Sequence, residues 1–426
     1  MIKMGIIKFN RLCLFAIFIF CFSPMLSQGA VSHVLHITVD AMGGYYIKGY
    51  LETNAASFPN FKRLQNESAC TFNARCDYNI SETVPNHVTI FTARPVYQPP
   101  GVTNIVCHSY SNNSSSPSIT ISNCSSPAFY KASTMDVVHD NGLNVAIFLG
   151  KSKLSVLTNS YNSINGAPDK IGVDNGRQKF DLAKIADSSP PLLAVVTNLL
   201  ATNPPNYLFL HFVEPDTVGH SSGWNSPQWS NSIVTVDNWL GQIFSVIDSS
   251  PILSNDTAIV LCADHGGGGD DDGLHMNPTR LLNYTIPIFV KGPGFKPGSD
   301  LYQYFSNRFD PGTERPEQGG VPQPLHNGDT GNIALMLLGL PEIPDSYWRP
   351  QYIAATQNVV LEILKSNSKI ILRWLPQSGY LPVFAESLTS DWSVITNQIQ
   401  NDGTYNYFEV IPDSQVKSGF YRLRKN

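Results

Sequence analysis

Three short apolar runs, each leading into an acidic residue, constrain this chain more than any other feature. Val34–Val39 runs directly into Asp40. Tyr207–Val213 leads through Glu214 and Pro215 to Asp216, and Thr257–Cys262 leads to Asp264 and His265. Near-continuous apolar segments of this length suit strands buried on both faces, the condition of a sheet covered by helices. A fourth run, Val145–Leu149, follows a helical pattern over Lys131–Asn141 and ends at Gly150. The helix–strand order predicts an α/β fold, and ligands of such sheets gather beyond the carboxyl ends of the strands. Acidic residues at those ends are therefore the first candidates for a site.

Ile233, Val236, Leu240, Ile243 and Phe244 recur at helical spacing, which predicts an amphipathic helix over Ser230–Val246 with a packing role. The serine-rich stretch Ser109–Ser126 reads as a surface loop held by cysteines. Gly292–Gly320, rich in Gly, Pro and Asp, reads as an irregular excursion around the main domain. Near Leu361 the texture changes to short strand candidates such as Ile370–Trp374, Tyr380–Phe384, Trp392–Ile395, Tyr407–Val410 and Phe420–Leu423. The expected organisation is a catalytic domain over 30–360 and a small antiparallel β-domain over 361–426.

Lys3, Lys8 and Arg11 precede the apolar run Leu12–Phe22, and the small residues Ser27, Gly29 and Ala30 follow. This is the pattern of an export signal over 1–29, implying a secreted, periplasmic or cell-surface protein. The run is shorter than the ~20 residues that span a bilayer, so no stable membrane span is expected once it is removed. Cys13 and Cys21 fall inside that signal. Among the others, sequential pairing would join Cys70 to Cys76 and Cys107 to Cys124, leaving Cys262 as a buried thiol in its strand. Lys+Arg 28 against Asp+Glu 33 gives a net charge of -5, which argues against a nucleic acid polymer as partner. A single nucleotide or another small phosphate ester remains open.

The chemistry concentrates in four places. Asp216 and His220, four apart, can turn both side chains toward one ion, with Gly219 easing a bend. Asp264 and His265 precede the run Gly266–Gly269, whose glycines would let the backbone turn sharply. His275, brought back over the sheet by that loop, is the favoured residue for the last metal position; His326, in the Pro324–Asp329 stretch, is its rival. Thr83 opens the Thr83–Thr92 segment. Its hydroxyl needs activation to attack, and the N–H groups of a helix starting there would favour a phosphate anion. Read alone, Thr83 could equally be a helix N-cap.

Together, Asp40, the Thr83–Asn86 motif, Asp216 with His220, and Asp264 with His265 resemble the alkaline phosphatase superfamily. They look closest to its type I phosphodiesterase/nucleotide pyrophosphatase branch, over roughly 33–350. The resemblance implies a central sheet flanked by helices and two divalent metal ions, zinc foremost, with manganese or iron as alternatives. It implies that Asp40, Asp264 and His265 hold the ion that activates Thr83, and that Asp216, His220 and a third histidine hold the other. Phosphodiesterases place that histidine far downstream, matching His326; phosphopentomutase-like members place it where His275 stands. In the phosphodiesterase branch an asparagine downstream of the threonine contacts a phosphoryl oxygen, and Asn104 stands at the matching position. Val84, Pro85 and Asn86 after Thr83 differ from the sulfatase signature, which argues against sulfatase activity. Phosphomonoester or phosphonate hydrolysis by the same metals is the alternative reaction. A non-catalytic protein whose metals brace its loops is the reading of another class. Tyr45 and Tyr46 are candidates for stacking against a base or sugar.

Overall fold

The computed structural model describes residues 5–8 and residues 30–353 apart from 124, 125, 127, 271, 272 and 321. Beyond these it describes the segments 362–366, 369–374, 380–385, 393–395, 399–401, 406–410 and 418–425. Leu26–Tyr352 forms one compact unit, and Ile353–Asn426 with the N-terminal Met1–Met25 forms another.

The larger unit is built on a sheet of eight strands. In chain order they are β1 (His33–Val39), β2 (Ala69–Arg75), β3 (Val145–Leu149), β4 (Leu182–Ile185), β5 (Tyr207–Phe212), β6 (Thr257–Ala263), β7 (Thr285–Lys291) and β8 (Ser299–Asp300). Across the sheet they run β4-β3-β5-β1-β6-β7-β2-β8. All neighbours are parallel except at β7, which is antiparallel to both β6 and β2. The apolar runs that mark β1, β3, β5 and β6 are buried along almost their whole length, so they sit in the middle of the sheet with helices over both faces.

Register sets the site. Val39 of β1 stands opposite Phe212 of β5 and Ala263 of β6, so the three strands end at one level. Asp40 N–H donates to Phe212 O at 2.9 Å, carrying the pairing one residue past the strand. The acidic residues after these strands are thereby gathered at one edge of the sheet.

Helix starts follow local capping chemistry. Ser133 caps Thr134–Asp140 through a reciprocal pair with Asp136, so this helix begins later than the Lys131–Asn141 pattern. Ser226 accepts from Trp229 N–H, and Pro227 opens the long helix Pro227–Ser249, which buries Ile233, Val236, Leu240, Ile243 and Phe244. No helix of the described residues is long and apolar enough to cross a membrane.

The Cys70–Cys76 pairing expected from sequence is not formed. Cys70 and Cys76 are free thiols: Cys70 lies within β2 and Cys76 just past its end. Six residues of extended chain span ~20 Å, far beyond disulfide reach. Cys107 is also a free thiol, with Sγ 3.1 Å from Ser109 Oγ, and Cys124 lies outside the described residues. Cys262 is a buried thiol in β6, as its apolar surroundings suggest.

In the second unit, four antiparallel strands follow the order Glu362–Ser366, Lys369–Trp374, Asn406–Val410 and Gln400–Asn401. Leu372, Trp374 and Phe408 form its small core. A second sheet pairs Tyr380–Ala385 with Ser393–Val394 and with Ser418–Lys425. Gly5–Lys8, within the expected export signal, pairs with Ser418–Lys425; residues 9–29 of that signal and Trp392 lie outside the described residues.

Candidate metal and phosphoryl-transfer site

Thr83 is the first residue of a fully buried helix, Thr83–Thr92, and its own N-cap position is taken by Glu82, which makes no side-chain cap. The cap comes from a distant loop: Asn113 Oδ1 accepts from Val84 N–H at 3.0 Å. Asn86 locks the approach to the helix, donating to Ile80 O and Glu82 O and accepting from Asp77 N–H. The Thr83 hydroxyl is left to face the strand ends. Its Oγ1 lies 3.5 Å from Asp40 Oδ1, 3.4 Å from His265 Nε2 and 3.4 Å from Lys151 Nζ.

The sequence candidates fall into two adjoining groups. In the first, His265 Nε2 is 3.4 Å from Asp40 Oδ1, 3.4 Å from Asp264 Oδ2 and 3.4 Å from Thr83 Oγ1. In the second, Asp216 Oδ1 is 3.4 Å from both His220 Nε2 and His275 Nε2, which are 3.2 Å from each other. Asp216 also lies close enough to Asp40 and His265 to join the first group. Oxygen and nitrogen donors held ~2.0–2.1 Å from a tetrahedral zinc ion stand about 3.3–3.4 Å apart, which is the spacing found in both groups.

Hydrogen bonding at the far side of these side chains points the same way. His265 Nδ1 pairs with Gly266 O at 2.7 Å and His275 Nδ1 with Ser81 O at 2.6 Å. Each ring donates through Nδ1–H, so each Nε2 keeps its lone pair toward the group. Asp264 Oδ1 accepts from Ala41 N–H and His265 N–H, while Oδ2 is buried without a hydrogen-bond partner. Asp216 Oδ1 is likewise buried without one. Ala41 adopts the left-handed region at φ 55, a strained conformation for alanine that aims its N–H at Asp264. A divalent cation suits this set: imidazole nitrogens, converging carboxylate oxygens, and two buried oxygens otherwise unsatisfied.

Charge balance among these groups is uneven. Burial, reinforced by the nearby Asp40 charge, pushes the Asp264 carboxyl well above the usual carboxylate range. Burial acts most strongly against ionised Asp40, but the Lys151 ammonium and the hydrogen bond from His211 together outweigh it and hold Asp40 low. At Asp216 burial is outweighed by His220, His275 and Lys151. Burial and the adjacent His275 bring His265 down to about 3, so its imidazole is neutral near pH 7. His211, on β5, supports Asp40 from behind: its Nδ1 accepts from Gly150 N–H and its Nε2–H donates to Asp40 Oδ2 at 3.1 Å.

Several expectations are corrected by this arrangement. Asp216 and His220 lie on a helix, Glu214–Ser222, where residues four apart share a face. Gly219 does not ease a bend; a methyl there would overlap the Trp224 indole. The Gly266–Gly269 run follows from packing rather than from one sharp turn: Gly267 and Gly268 lie against Trp224, and Gly266 against the Leu282 carbonyl. Thr83 is not an N-cap. Asn104 is exposed on a loop, its carbonyl accepting from Gln98, and has no contact with Thr83; Asn113 occupies the position beside the helix start. Ser109–Ser126 is therefore more than a surface loop. His326 is not part of either group: its Nδ1 pairs with Cys76 O and its ring stacks on Trp348 at 3.9 Å. Tyr46 packs on Trp229, and Tyr45 is 71% exposed.

The sequence reading missed Lys151, Lys153 and Asn113. Lys151 Nζ reaches Asp40 Oδ2 at 2.6 Å and Asp216 Oδ2 at 2.5 Å, and Lys153 Nζ reaches Asn113 Oδ1 at 3.1 Å. The available signal was position: both lysines follow β3, whose carboxyl end lies at the same edge of the sheet as Asp40.

Comparison with known proteins bears on the family and the fold. The family model of type I phosphodiesterase/nucleotide pyrophosphatase matches residues 34–278. A 2,3-bisphosphoglycerate-independent phosphoglycerate mutase from Haloarcula marismortui is 27% identical over 107 residues. That match spans 25% of this chain and 19% of the relative's length. A solved alkaline phosphatase superfamily protein from Vibrio parahaemolyticus shares the fold at TM-score 0.50 and 13% identity, over 82% of this chain and 77% of that one. Murine ectonucleotide pyrophosphatase/phosphodiesterase 5, solved as an inactive variant with AMP, aligns at TM-score 0.45 and 12% identity, over 73% of this chain and 96% of its own. With its central mixed sheet, its flanking helices and a family match across most of the larger unit, this chain belongs to the type I phosphodiesterase/nucleotide pyrophosphatase family.

Proposed function

We propose that the protein is an exported, two-metal phosphodiesterase or nucleotide pyrophosphatase with Thr83 as nucleophile. Asp40, Thr83, Asp264 and His265 would hold one divalent ion and Asp216, His220 and His275 the other, with zinc the expected metal. The observation that carries the reading is the convergence of Thr83 Oγ1, Asp40 Oδ1 and His265 Nε2 at 3.4–3.5 Å beside a second triad of donors. Bound ions would acidify the threonine hydroxyl and neutralise charge on the leaving oxygen.

Thr83 Oγ1 releases its proton to solvent water and attacks phosphorus, forming phosphothreonine as the bond from phosphorus to the leaving oxygen breaks and that oxygen takes up a proton from water. A water then attacks the same phosphorus, restoring the Thr83 hydroxyl and releasing phosphate or a phosphomonoester. The positive end of the helix dipole at Thr83 would favour the phosphoryl oxygens, and Asn113, which accepts the Val84 N–H, stands beside it. Lys151 faces the nucleophile from the β3 side. Its charge would stabilise an attacking oxyanion.

One observation favours a second reading. Lys151 and Lys153 bring two ammonium groups to the Thr83 side of the site, more than a singly charged diester requires. Phosphomonoester or phosphonate hydrolysis is therefore the rival reaction. Metal-loaded protein from the periplasm or medium should hydrolyse nitrophenyl esters, lose that activity on chelation and recover it with zinc. The ranking of a monoester, a diester and a phosphonate then separates the two readings. Thr83→Ala should lower turnover ~10³-fold or more while the protein still binds metal. Full activity in that variant would refute the nucleophile.

A further inference from the structure

His220 is oriented differently from its fellow histidines. His265 and His275 each fix their ring by donating Nδ1–H to a backbone carbonyl. Among the described residues His220 has no such Nδ1 partner; its contacts are with Asp216 and His275 through Nε2. Its side chain is also the most open of the group, at 39% exposure. A metal-ligating imidazole ordinarily needs a second contact to hold its ring plane.

That second contact is Trp224. Its indole meets the His220 ring edge-on, with centroids 5.0 Å apart at 77°, and meets His275 at 5.7 Å and 74°. The chain is shaped to put it there. Gly223 at φ 84 and Asn225 at φ 60 bracket Trp224 in left-handed conformations, turning it back against the end of the Glu214–Ser222 helix. Tyr50 Oη–H donates to Asn225 Oδ1 at 2.9 Å and pins that turn. The indole then seats in a notch of three glycines. A methyl on Gly219 or Gly267 would overlap the ring, and one on Gly268 would come within 2.8 Å of the Trp224 Cβ. Trp224 is 9% exposed, and its Nε1–H is buried without a hydrogen-bond partner. Leaving such a donor unpaired costs about 1–3 kcal/mol, so the seat is held by the packing of the ring.

We propose that Trp224 is a positioning residue for the Asp216–His220–His275 metal half-site: the indole replaces the missing Nδ1 hydrogen bond as the wall that holds the His220 ring. The proposal rests on the two-metal reading above and predicts that Trp224 also reports optically on filling of that half-site.

The test uses the full chain stripped of metal and titrated with Co2+, following tryptophan emission and the visible absorption of bound cobalt together. Wild type should take up two equivalents with a fall in emission. Trp224→Phe should keep both equivalents and lose most of the emission change. Trp224→Ala should need about 10–100-fold more free Co2+ for one equivalent and leave the other unaltered. Unchanged quenching in Trp224→Phe, or both equivalents bound at wild-type concentrations in Trp224→Ala, would overturn the assignment. Should Trp224→Ala not fold, the Trp224→Phe emission result decides. Failure of wild type itself to bind Co2+ would bring down the two-metal reading, and this proposal with it.

Discussion

Lys151 offers the sharpest check on the electrostatics of the site. Its ammonium, on a side chain only 13% exposed, lies 2.6 Å from Asp40 and 2.5 Å from Asp216, themselves 0% and 6% exposed. Replacing it with methionine keeps the length and the packing but leaves two buried carboxylates facing Asp264 with only imidazoles between them. Breaking a buried pair from one side costs ~3–5 kcal/mol, because the remaining charge is stranded. At ~2–4 °C per kcal/mol for a domain of moderate size, metal-free Lys151→Met should melt about 6–20 °C below wild type. Divalent cations reverse the sign of the problem, since they supply the missing positive charge. Zinc at ~1,000 times its dissociation constant contributes about 4 kcal/mol, so the gap should shrink when metal is added. Thermal unfolding followed by circular dichroism, in chelator and then in zinc, measures both quantities. A variant melting within ~1 °C of wild type in chelator, or a gap that metal leaves untouched, would show that the carboxylates are not in the balance described here.

Two further outcomes follow from other parts of the structure. Asn113→Ala should lower kcat/KM about 10–1,000-fold if this amide assists the phosphoryl oxygens, whereas Asn104→Ala should stay within about twofold of wild type; steady-state kinetics giving the reverse order would restore Asn104. Away from the site, Lys179 is fully buried with Asp140 and Asp169, and despite burial it holds the Asp169 carboxyl at about 2, below its usual 3.8. A lowered carboxyl pKa stabilises the fold above pH ~4 and loses that effect as pH falls toward 2, so Asp169→Asn should cost about 1–2 kcal/mol at pH 7 and less by pH 3. Urea unfolding at the two pH values checks this, and a cost independent of pH would refute the pairing.

The fold was legible because its signals are local. Val34–Val39, Val145–Leu149, Tyr207–Val213 and Thr257–Cys262 are apolar without alternation, and only strands covered on both faces satisfy that pattern. The acids and histidines of the site were legible for a related reason. Asp40, Asp216 and Asp264 sit within a few residues of strand ends, and parallel register carries those ends to one edge. His275 was preferred over His326 because the short return from His265 limits where that loop can go, and the structure places His275 Nε2 beside His220 Nε2 while His326 stacks on Trp348.

What the sequence could not decide is which distant loops lean on that edge. Asn113 reaches the Thr83 helix from a serine-rich stretch with no pattern of its own, and counting residues forward from Thr83 led to the exposed Asn104 instead. Nothing local in the sequence marks Lys151 and Lys153; the fold after Gly150 sets them against Asp40 and Asn113. The glycines around His220 and His265 looked like flexible turns, yet their lack of side chains is required by the Trp224 indole packed against them. Strand burial and strand-end chemistry depend on residues adjacent in the chain, so composition and order determine them. Caps, counter-charges and close packing depend on pairs far apart in the chain, and only the closed tertiary structure settles their partners.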